Sequence, residues 1–257
     1  MFELLVCILA AAGAGITAGL AGISTATVIS PLLIALLGFD AYEALGIALA
    51  SDVLASALAA IPYGRRGHIR YRKASLVLVP AVLFTMLGSY VGYTVSHGFL
   101  AYVSLIGMIL MGVKFLAKPV KEENTPFPFV NSRRREILCH LLTGVVIGSI
   151  CGFCGVGGGM MMLLIFTMLL GYDMKTAVGT SIFIMAAIAA VGAVSHYAFI
   201  GSINHIQALA VCMIVTPLTA VIAARYANRV SNRALNLAVG IALSLIGVLL
   251  LLIHMFG

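Results

Sequence analysis

The stretch that decides the fold is Gly148-Ser-Ile-Cys-Gly-Phe-Cys-Gly-Val-Gly-Gly-Gly159, which lies inside an otherwise apolar run. Six of its twelve residues are glycine, and each glycine in a helix costs about 0.5–1 kcal/mol relative to alanine. We therefore predict that the helix breaks here and restarts at Met160. In lipid, such a break is tolerated only where the backbone is buried in protein or lines a cavity. The N–H groups of Gly157, Gly158 and Gly159, beside a helix N-terminus, would favour an anion.

The composition indicates that the chain is surrounded by lipid. Hydrophobic residues make up 62% of the chain, charged residues 9%, and the mean hydropathy is +1.16. A soluble fold of 257 residues could not bury that much apolar surface. The net charge of +7 is carried in short loops between apolar runs. We interpret the basic residues as topology signals, and we expect no nucleic-acid partner.

The cysteines and the N-terminal residues do not change the assignment to a membrane protein. Five cysteines, mostly inside apolar segments, predict no disulfide framework. Residues 1–13 resemble a signal peptide, but Glu3 and the apolar run that continues beyond them favour a structural helix. We expect no cofactor and no metal, because no further ligands accompany the Cys151-x-x-Cys154 pair.

The lengths of the apolar segments predict an all-α membrane protein. Most contain about 20 residues, enough to cross roughly 30 Å of hydrocarbon. The segments run over 4–37, 44–62, 74–95, 98–117, 137–170, 174–196, 206–224 and 234–256. The first and fifth contain 34 residues each. We predict two half-helices in each, joined at Gly22-Ile-Ser-Thr-Ala26 and at Gly155-Val-Gly-Gly-Gly159.

Short sequence motifs that recur in the same order in the second half of the chain indicate an internal duplication. Gly38-Phe-Asp40 recurs as Gly171-Tyr-Asp173, and Ala44-Leu-Gly46 recurs as Ala177-Val-Gly179, both at an offset of 133 residues. The series predicts two repeats joined by a polar, proline-containing linker. The predicted divisions are 1–117 for the first repeat, 118–136 for a cytoplasmic linker and 137–257 for the second repeat.

The distribution of basic residues predicts the topology. Counting each long segment as two elements places all the basic clusters on the cytoplasmic side. These clusters are Arg65, Arg66, Arg70, Arg72 and Lys73; Lys118, Lys121 and Arg133–Arg135; Arg225, Arg229 and Arg233; and Lys175. Each repeat then has a broken helix or helical hairpin plus three transmembrane helices. The repeats are inverted, both termini lie outside, and the broken segments meet near the midplane. Re-entrant hairpins and pairs of short spans both fit.

With this layout the chain resembles the TauE/SafE sulfite exporter family of membrane transporters. The likeness is carried by the repeat, by Gly155-Val-Gly-Gly-Gly159, and by Ala177-Val-Gly-Thr-Ser181 after Gly171-Tyr-Asp173. It implies transport of sulfite, organosulfonates or related sulfur anions across the bacterial inner membrane. It fixes neither the anion nor the direction. Ser24-Thr25-Ala26 stands where such proteins often carry a second Gly-Gly-Gly, so the first break offers hydroxyl groups.

The candidate substrate ligands are amides and hydroxyls at or near the two breaks. They are Ser24, Thr25, Thr27, Gly157, Gly158, Gly159, Thr180 and Ser181. Structural alternatives remain for the hydroxyls, as helix N-caps or as small polar residues that bridge helices. Gly148 and Gly152, at Gly-x-x-x-Gly spacing, are assigned to helix packing.

Asp52 is the candidate coupling residue. It lies in the middle of segment 44–62, where an ionised carboxylate costs at least about 2.5–3.5 kcal/mol. A proton or cation site that couples to anion movement is the functional interpretation. The alternative is a structural Asp52 whose hydrogen bond comes from the neighbouring Ser51.

Cys151, Cys154 and His196 are secondary candidates. The two cysteines share a helix face at i, i+3, where a redox role or a soft sulfur ligand competes with simple packing of small residues. His196 titrates in the range of a proton relay, and anchoring at the membrane interface is its structural alternative.

Three functional classes fit a chain of this kind to different degrees. We predict a secondary transporter, an exporter of sulfur oxyanions coupled to protons or another ion. A passive anion channel is the alternative, although a channel needs no buried carboxylate. An intramembrane hydrolase using Ser181 and His196 is disfavoured, because 15 residues on one helix separate them by about 22 Å. The expected partners are a small anion and membrane lipid. The oligomeric state is left open, and a homodimer is one alternative.

Overall fold

The computed structural model describes residues 2–92, 109–110, 113–114, 116–117, 132–154, 158–200 and 204–256. Within these ranges the chain forms helices and no strands. The helices are α1 (Phe2–Ala21), α2 (Ala26–Leu37), α3 (Ala41–Arg65), α4 (Tyr71–Gly92), α5 (Arg133–Cys154), α6 (Gly158–Leu164, continued by a π-helical turn, Ile165–Leu169), α7 (Met174–Ile200), α8 (Ile206–Ala227) and α9 (Asn232–Phe256).

The all-α membrane class is confirmed. Seven of the helices in the described ranges are long and apolar enough to cross a membrane, while α2 and residues 158–169 are shorter. Most of the predicted span 98–117 falls outside the described residues. The chain is therefore a multi-pass membrane protein.

The first long apolar segment is interrupted, and the described part of the second shows a helix on either side of residues 155–157. The first is divided between α1 and α2, so the predicted break after Ala21 is confirmed. In the second, α5 ends at Cys154 and α6 begins at Gly158, while residues 155–157 lie outside the description. The predicted restart at Met160 is wrong, because Gly158 and Gly159 are already helical.

The two halves repeat the same local structure after their short helices. Gly38 and Gly171 have φ values of +67° and +68°, a conformation that glycine adopts without steric cost. An Asp carboxylate then accepts an N–H three residues later: Asp40 from Glu43 at 3.3 Å, and Asp173 from Thr176 at 3.2 Å. These matching turns support the duplication, while the domain boundaries stay predictions.

Helices from the two halves pack against each other. The main interfaces pair α1 with α8, α4 with α5, and α3 with both α7 and α8. Glycine permits the closest approaches. A Cβ on Gly15 would lie 2.4 Å from the Thr216 carbonyl oxygen, and one on Gly148 would lie 2.3 Å from that of Ala81. The packing role predicted for Gly148 is confirmed, and that of Gly152 stays a prediction.

The contacts also give helix directions. Along α1, Gly15 faces Thr216 and Gly19 faces Ala220, so α1 and α8 run in the same direction. By the same test α5 runs with α4, since Gly144 faces Val77 and Gly148 faces Ala81. Arg66, just before α4, donates to the carbonyl of Asn228, just after α8. Helices α4 and α8 are therefore antiparallel, and α1 and α5 run in opposite directions. An inverted repeat requires this arrangement, and the inversion itself stays a prediction.

Basic residues gather at one end of the bundle. Lys73 pairs with Glu136, and the Arg70 N–H donates to Thr180 Oγ1 at 3.3 Å. At the other end of α3, about 33 Å from Arg65, Glu43 accepts the backbone N–H groups of Asn204 and His205 at 2.8 Å. The compartment that each end faces, and the position of both termini, remain predictions.

Candidate functional site

The first break touches the start of α6 inside the bundle. A Cβ on Gly159 would lie 2.2 Å from the Gly22 carbonyl oxygen and 3.0 Å from Ile23 Cα. Gly22 has a φ of +65°, and a Cβ there would meet Ser181 Cβ at 3.2 Å. We call Gly22, Ile23, Gly159 and Ser181 the break junction. One point thus brings together the first break, the start of α6 and the helix α7.

Asp52 of α3 connects that helix to the first break through hydrogen bonds. Its carboxylate is fully buried and accepts the Ser24 hydroxyl at 2.6 Å, the Ser56 hydroxyl at 2.9 Å and the Thr25 backbone N–H. Hydroxyl groups can donate or accept hydrogen bonds. The same ring of partners can therefore satisfy Asp52 with or without a proton.

Most hydroxyls of the first break already have protein partners. Ser24 donates to Asp52 and accepts the Ala26 N–H at 3.3 Å. Thr25 donates to the Ala48 carbonyl at 3.0 Å, and its side chain makes no cap hydrogen bond. Thr27 differs from both. It is 3% exposed, and its Oγ1 has no partner among the described residues.

The candidate residues of the second half are closely packed or hydrogen-bonded within the protein. A Cβ on Gly158 would lie 1.8 Å from Cys151 Sγ, and Gly157 lies outside the described residues. Ser181, at the break junction, donates to Ala177 of its own helix at 2.7 Å. Thr180 instead accepts the Arg70 N–H, which matches the structural alternative of a residue that bridges two elements.

Comparison with known proteins identifies the family. The chain matches the profile of the sulfite exporter TauE/SafE family over residues 7–250. The chain belongs to this family. It is also similar to the probable membrane transporter protein YunE of Bacillus subtilis (strain 168), with 27% identity over 172 residues. That match covers 61% of this chain and 60% of the relative.

The secondary candidates of this TauE/SafE protein are only partly described. The Cys151 side chain is buried against Gly158. The side chains of Cys154 and His196 lie outside the described part of the structure. Ser181 and His196 are on the continuous helix α7, about 22 Å apart, so they do not form a catalytic pair. Within the described ranges, no group of three His, Cys, Asp or Glu residues is placed to hold a metal ion.

Sequence reasoning missed some of the hydrogen-bond partners of Asp52. The proposed partner Ser51 is wrong, because its hydroxyl donates to the Ile47 carbonyl at 2.8 Å. The partner on the same helix is Ser56, four residues from Asp52 and therefore on the same helix face. That spacing is visible in the sequence. The link to Ser24, 28 positions away, is not.

Proposed function

We propose that this TauE/SafE protein is a secondary transporter that exports sulfite, an organosulfonate or a related sulfur oxyanion across the bacterial inner membrane. The observation that carries the proposal is the contact of the first break with Gly159 of α6 and Ser181 of α7 in the protein interior. Interrupted helices that meet near the middle of a bundle are where many transporters bind substrate. The family assignment supports the same class.

The anion binds at the break junction. The N–H groups at the start of α6, including those of Gly158 and Gly159, supply donors without a fixed charge. Thr27 adds a buried hydroxyl that has no partner among the described residues. Ser24 and Ser181 join the site when they release their present acceptors.

Proton binding and anion binding are coupled because the Ser24 hydroxyl can donate either to Asp52 or to the anion. An ionised Asp52 holds the Ser24 hydrogen and repels an anion nearby. A protonated Asp52 can itself donate to Ser24 Oγ, which frees the Ser24 hydrogen for the substrate. Anion binding and proton binding therefore favour each other. A divalent oxyanion that moves with one proton still carries one net negative charge, and about 2.3 kcal/mol per 100 mV of inside-negative potential drives it outward.

A passive channel remains the alternative. A channel needs no buried carboxylate beside its substrate site. The buried Asp52, with its hydrogen bond to Ser24, therefore favours the carrier. A channel would also show no response of anion flux to a proton gradient beyond the electrical term.

A thermal-shift screen of the detergent-purified protein tests the substrate class. Sulfite, thiosulfate, sulfate, sulfoacetate, taurine and simple carboxylates are compared at equal ionic strength. A ligand that binds only the folded chain raises its melting temperature by mass action. We expect sulfite or a sulfonate to give the largest shift.

Two matched variants test whether the rise in melting temperature comes from binding at the proposed site. Thr27→Val removes the hydroxyl that has no partner among the described residues and should reduce the shift. Thr219→Val removes a hydroxyl that donates to Val215 of its own helix at 3.0 Å, and it should leave the shift unchanged. If no sulfur anion stabilises the protein more than the carboxylates do, the proposed substrate class is wrong.

A further inference from the structure

A basic cleft lies between the C-terminal ends of α3 and α8, away from the break junction. Its volume is about 470 Å³, and its charged lining consists of Arg65, Arg66, Arg225 and Arg229. Arg65 and Arg225 lie in the last turns of α3 and α8, and Arg66 and Arg229 follow the ends of those helices. The cleft lies at the end of the bundle where basic residues gather, which is the predicted cytoplasmic face.

The four arginines have no acidic counterpart in the described structure. All four are exposed, and neither ion pair found among the described residues involves any of them. Arg66 is held by the Asn228 carbonyl. Four positive charges around one cleft repel one another unless an anion lies between them. Guanidinium groups suit a phosphate, which they bind with paired hydrogen bonds.

Apolar residues line the cleft beside the arginines. Leu58 and Ile61 of α3 and Val221 of α8 belong to the lining, and the first two are 43% and 47% exposed. They lie one to two helical turns from Arg65, toward the middle of the membrane. A charged layer at the membrane surface, followed by an apolar groove, has the same order as a phospholipid headgroup and its acyl chain. A small soluble anion would use only the charged layer.

Asn228 indicates a property of the headgroup. It is 3% exposed, lines the cleft, and its Oδ1 has no partner among the described residues. Its Nδ2 donates to the Ala224 carbonyl at 2.8 Å, so the remaining atom is an acceptor. A headgroup with a hydroxyl beside its phosphate satisfies this acceptor as well as the arginines.

We propose that the basic cleft binds one anionic phospholipid of the cytoplasmic leaflet, with its phosphate among the arginines and an acyl chain along Leu58 and Ile61. Basic pockets between transmembrane helices on the cytoplasmic side recognise anionic headgroups in this way. The site is distinct from the proposed substrate site and does not depend on it.

The test uses the full-length protein in detergent and titrates it with dioleoylphosphatidylglycerol in mixed micelles. The melting temperature against lipid concentration gives an apparent affinity. Dioleoylphosphatidylcholine tests for non-specific lipid effects. Glycerol 3-phosphate and inorganic phosphate test whether the site takes a soluble anion instead.

The cleft variant combines Arg65→Gln, Arg225→Gln and Arg229→Gln. Arg66 is retained because it holds the Asn228 carbonyl. At about fivefold per arginine, the apparent affinity for phosphatidylglycerol should fall roughly 100-fold.

A control variant, Arg72→Gln with Arg133→Gln and Arg134→Gln, removes the same charge from exposed positions outside the cleft and should bind like the wild type. Equal affinity in the two triple variants would overturn the proposal. Stabilisation by glycerol 3-phosphate that equals that of the lipid would also overturn it. If the cleft variant does not fold, Arg229→Gln alone should weaken binding about fivefold, and an unchanged affinity would again refute the site.

Discussion

The hydroxyl of Ser24 donates a 2.6 Å hydrogen bond to Oδ2 of Asp52, which is 28 positions later in the chain. Ser24 belongs to the first break, and Asp52 lies in the middle of α3. The bond therefore connects the interrupted backbone to the one carboxylate in the interior of the described spans. A change in the charge of Asp52 therefore changes a hydrogen bond of the break itself.

Asp52→Asn should uncouple transport from protons while preserving anion exchange. The amide oxygen can still accept Ser24, but the side chain no longer takes up a proton. In proteoliposomes, a pH gradient should change the rate of sulfite flux at least tenfold in the wild type and less than twofold in the variant. Ser51→Ala is the neighbouring control and should remain coupled. A variant that still responds fully to the gradient would exclude Asp52 as the coupling residue.

Ser24→Ala should destabilise the folded protein by about 1–3 kcal/mol, because it leaves a buried carboxylate oxygen without its closest donor. The measurement is unfolding in detergent by heat or denaturant. Ser51→Ala removes a hydroxyl that donates only to its own helix and should cost much less. Equal costs for the two variants would show that the bond from Ser24 to Asp52 adds nothing to stability.

Gly158→Ala should destabilise the protein by about 1–3 kcal/mol through overpacking, because the new Cβ would lie 1.8 Å from Cys151 Sγ. Adding Cys151→Ala should relieve most of this cost. The nearest remaining atoms would then be Ile147 Cγ2 at 3.4 Å and the Cβ of residue 151 at 3.6 Å. A double-mutant cycle measures the coupling, and strictly additive costs would contradict the packing.

His68 should make the protein less stable in mild acid. Burial lowers the pKa of His68 from its usual 6.5, with Asp173 opposing and Lys175 and Arg66 reinforcing the change. Below about pH 6.5 the unfolded chain therefore binds a proton that the folded chain resists, and stability falls as the pH falls. His68→Gln should show a smaller loss of melting temperature between pH 7.5 and 5.5. An identical loss in both proteins would exclude this contribution.

Local patterns predicted the helices and the first break well. Segment 4–37 is too long for one span and has small polar residues near its middle, and both features are visible without a structure. The restart of the second half-helix was predicted too late, since glycine is a poor helix former. Gly158 and Gly159 are nevertheless helical, and the close approach of Cys151 and Gly22 leaves no room for a side chain at either position.

Contacts between distant residues could not be predicted in this way. Adjacency suggested Ser51 as the partner of Asp52, yet consecutive helical residues point in different directions. The pairing of α1 with α8 and of α5 with α4 depends on how the halves interleave. No local pattern records that arrangement, and the same is true of the basic cleft between α3 and α8.

We expect the anion to cross the protein at the break junction. The most direct test is sulfite flux into proteoliposomes for Gly159→Ala, whose Cβ would lie 2.2 Å from the Gly22 carbonyl oxygen, compared with Gly13→Ala, whose Cβ would meet nothing within 4 Å. Rates are expressed per amount of folded, reconstituted protein. We predict a wild-type rate for Gly13→Ala and at least a tenfold loss for Gly159→Ala. A wild-type rate for Gly159→Ala would contradict the account.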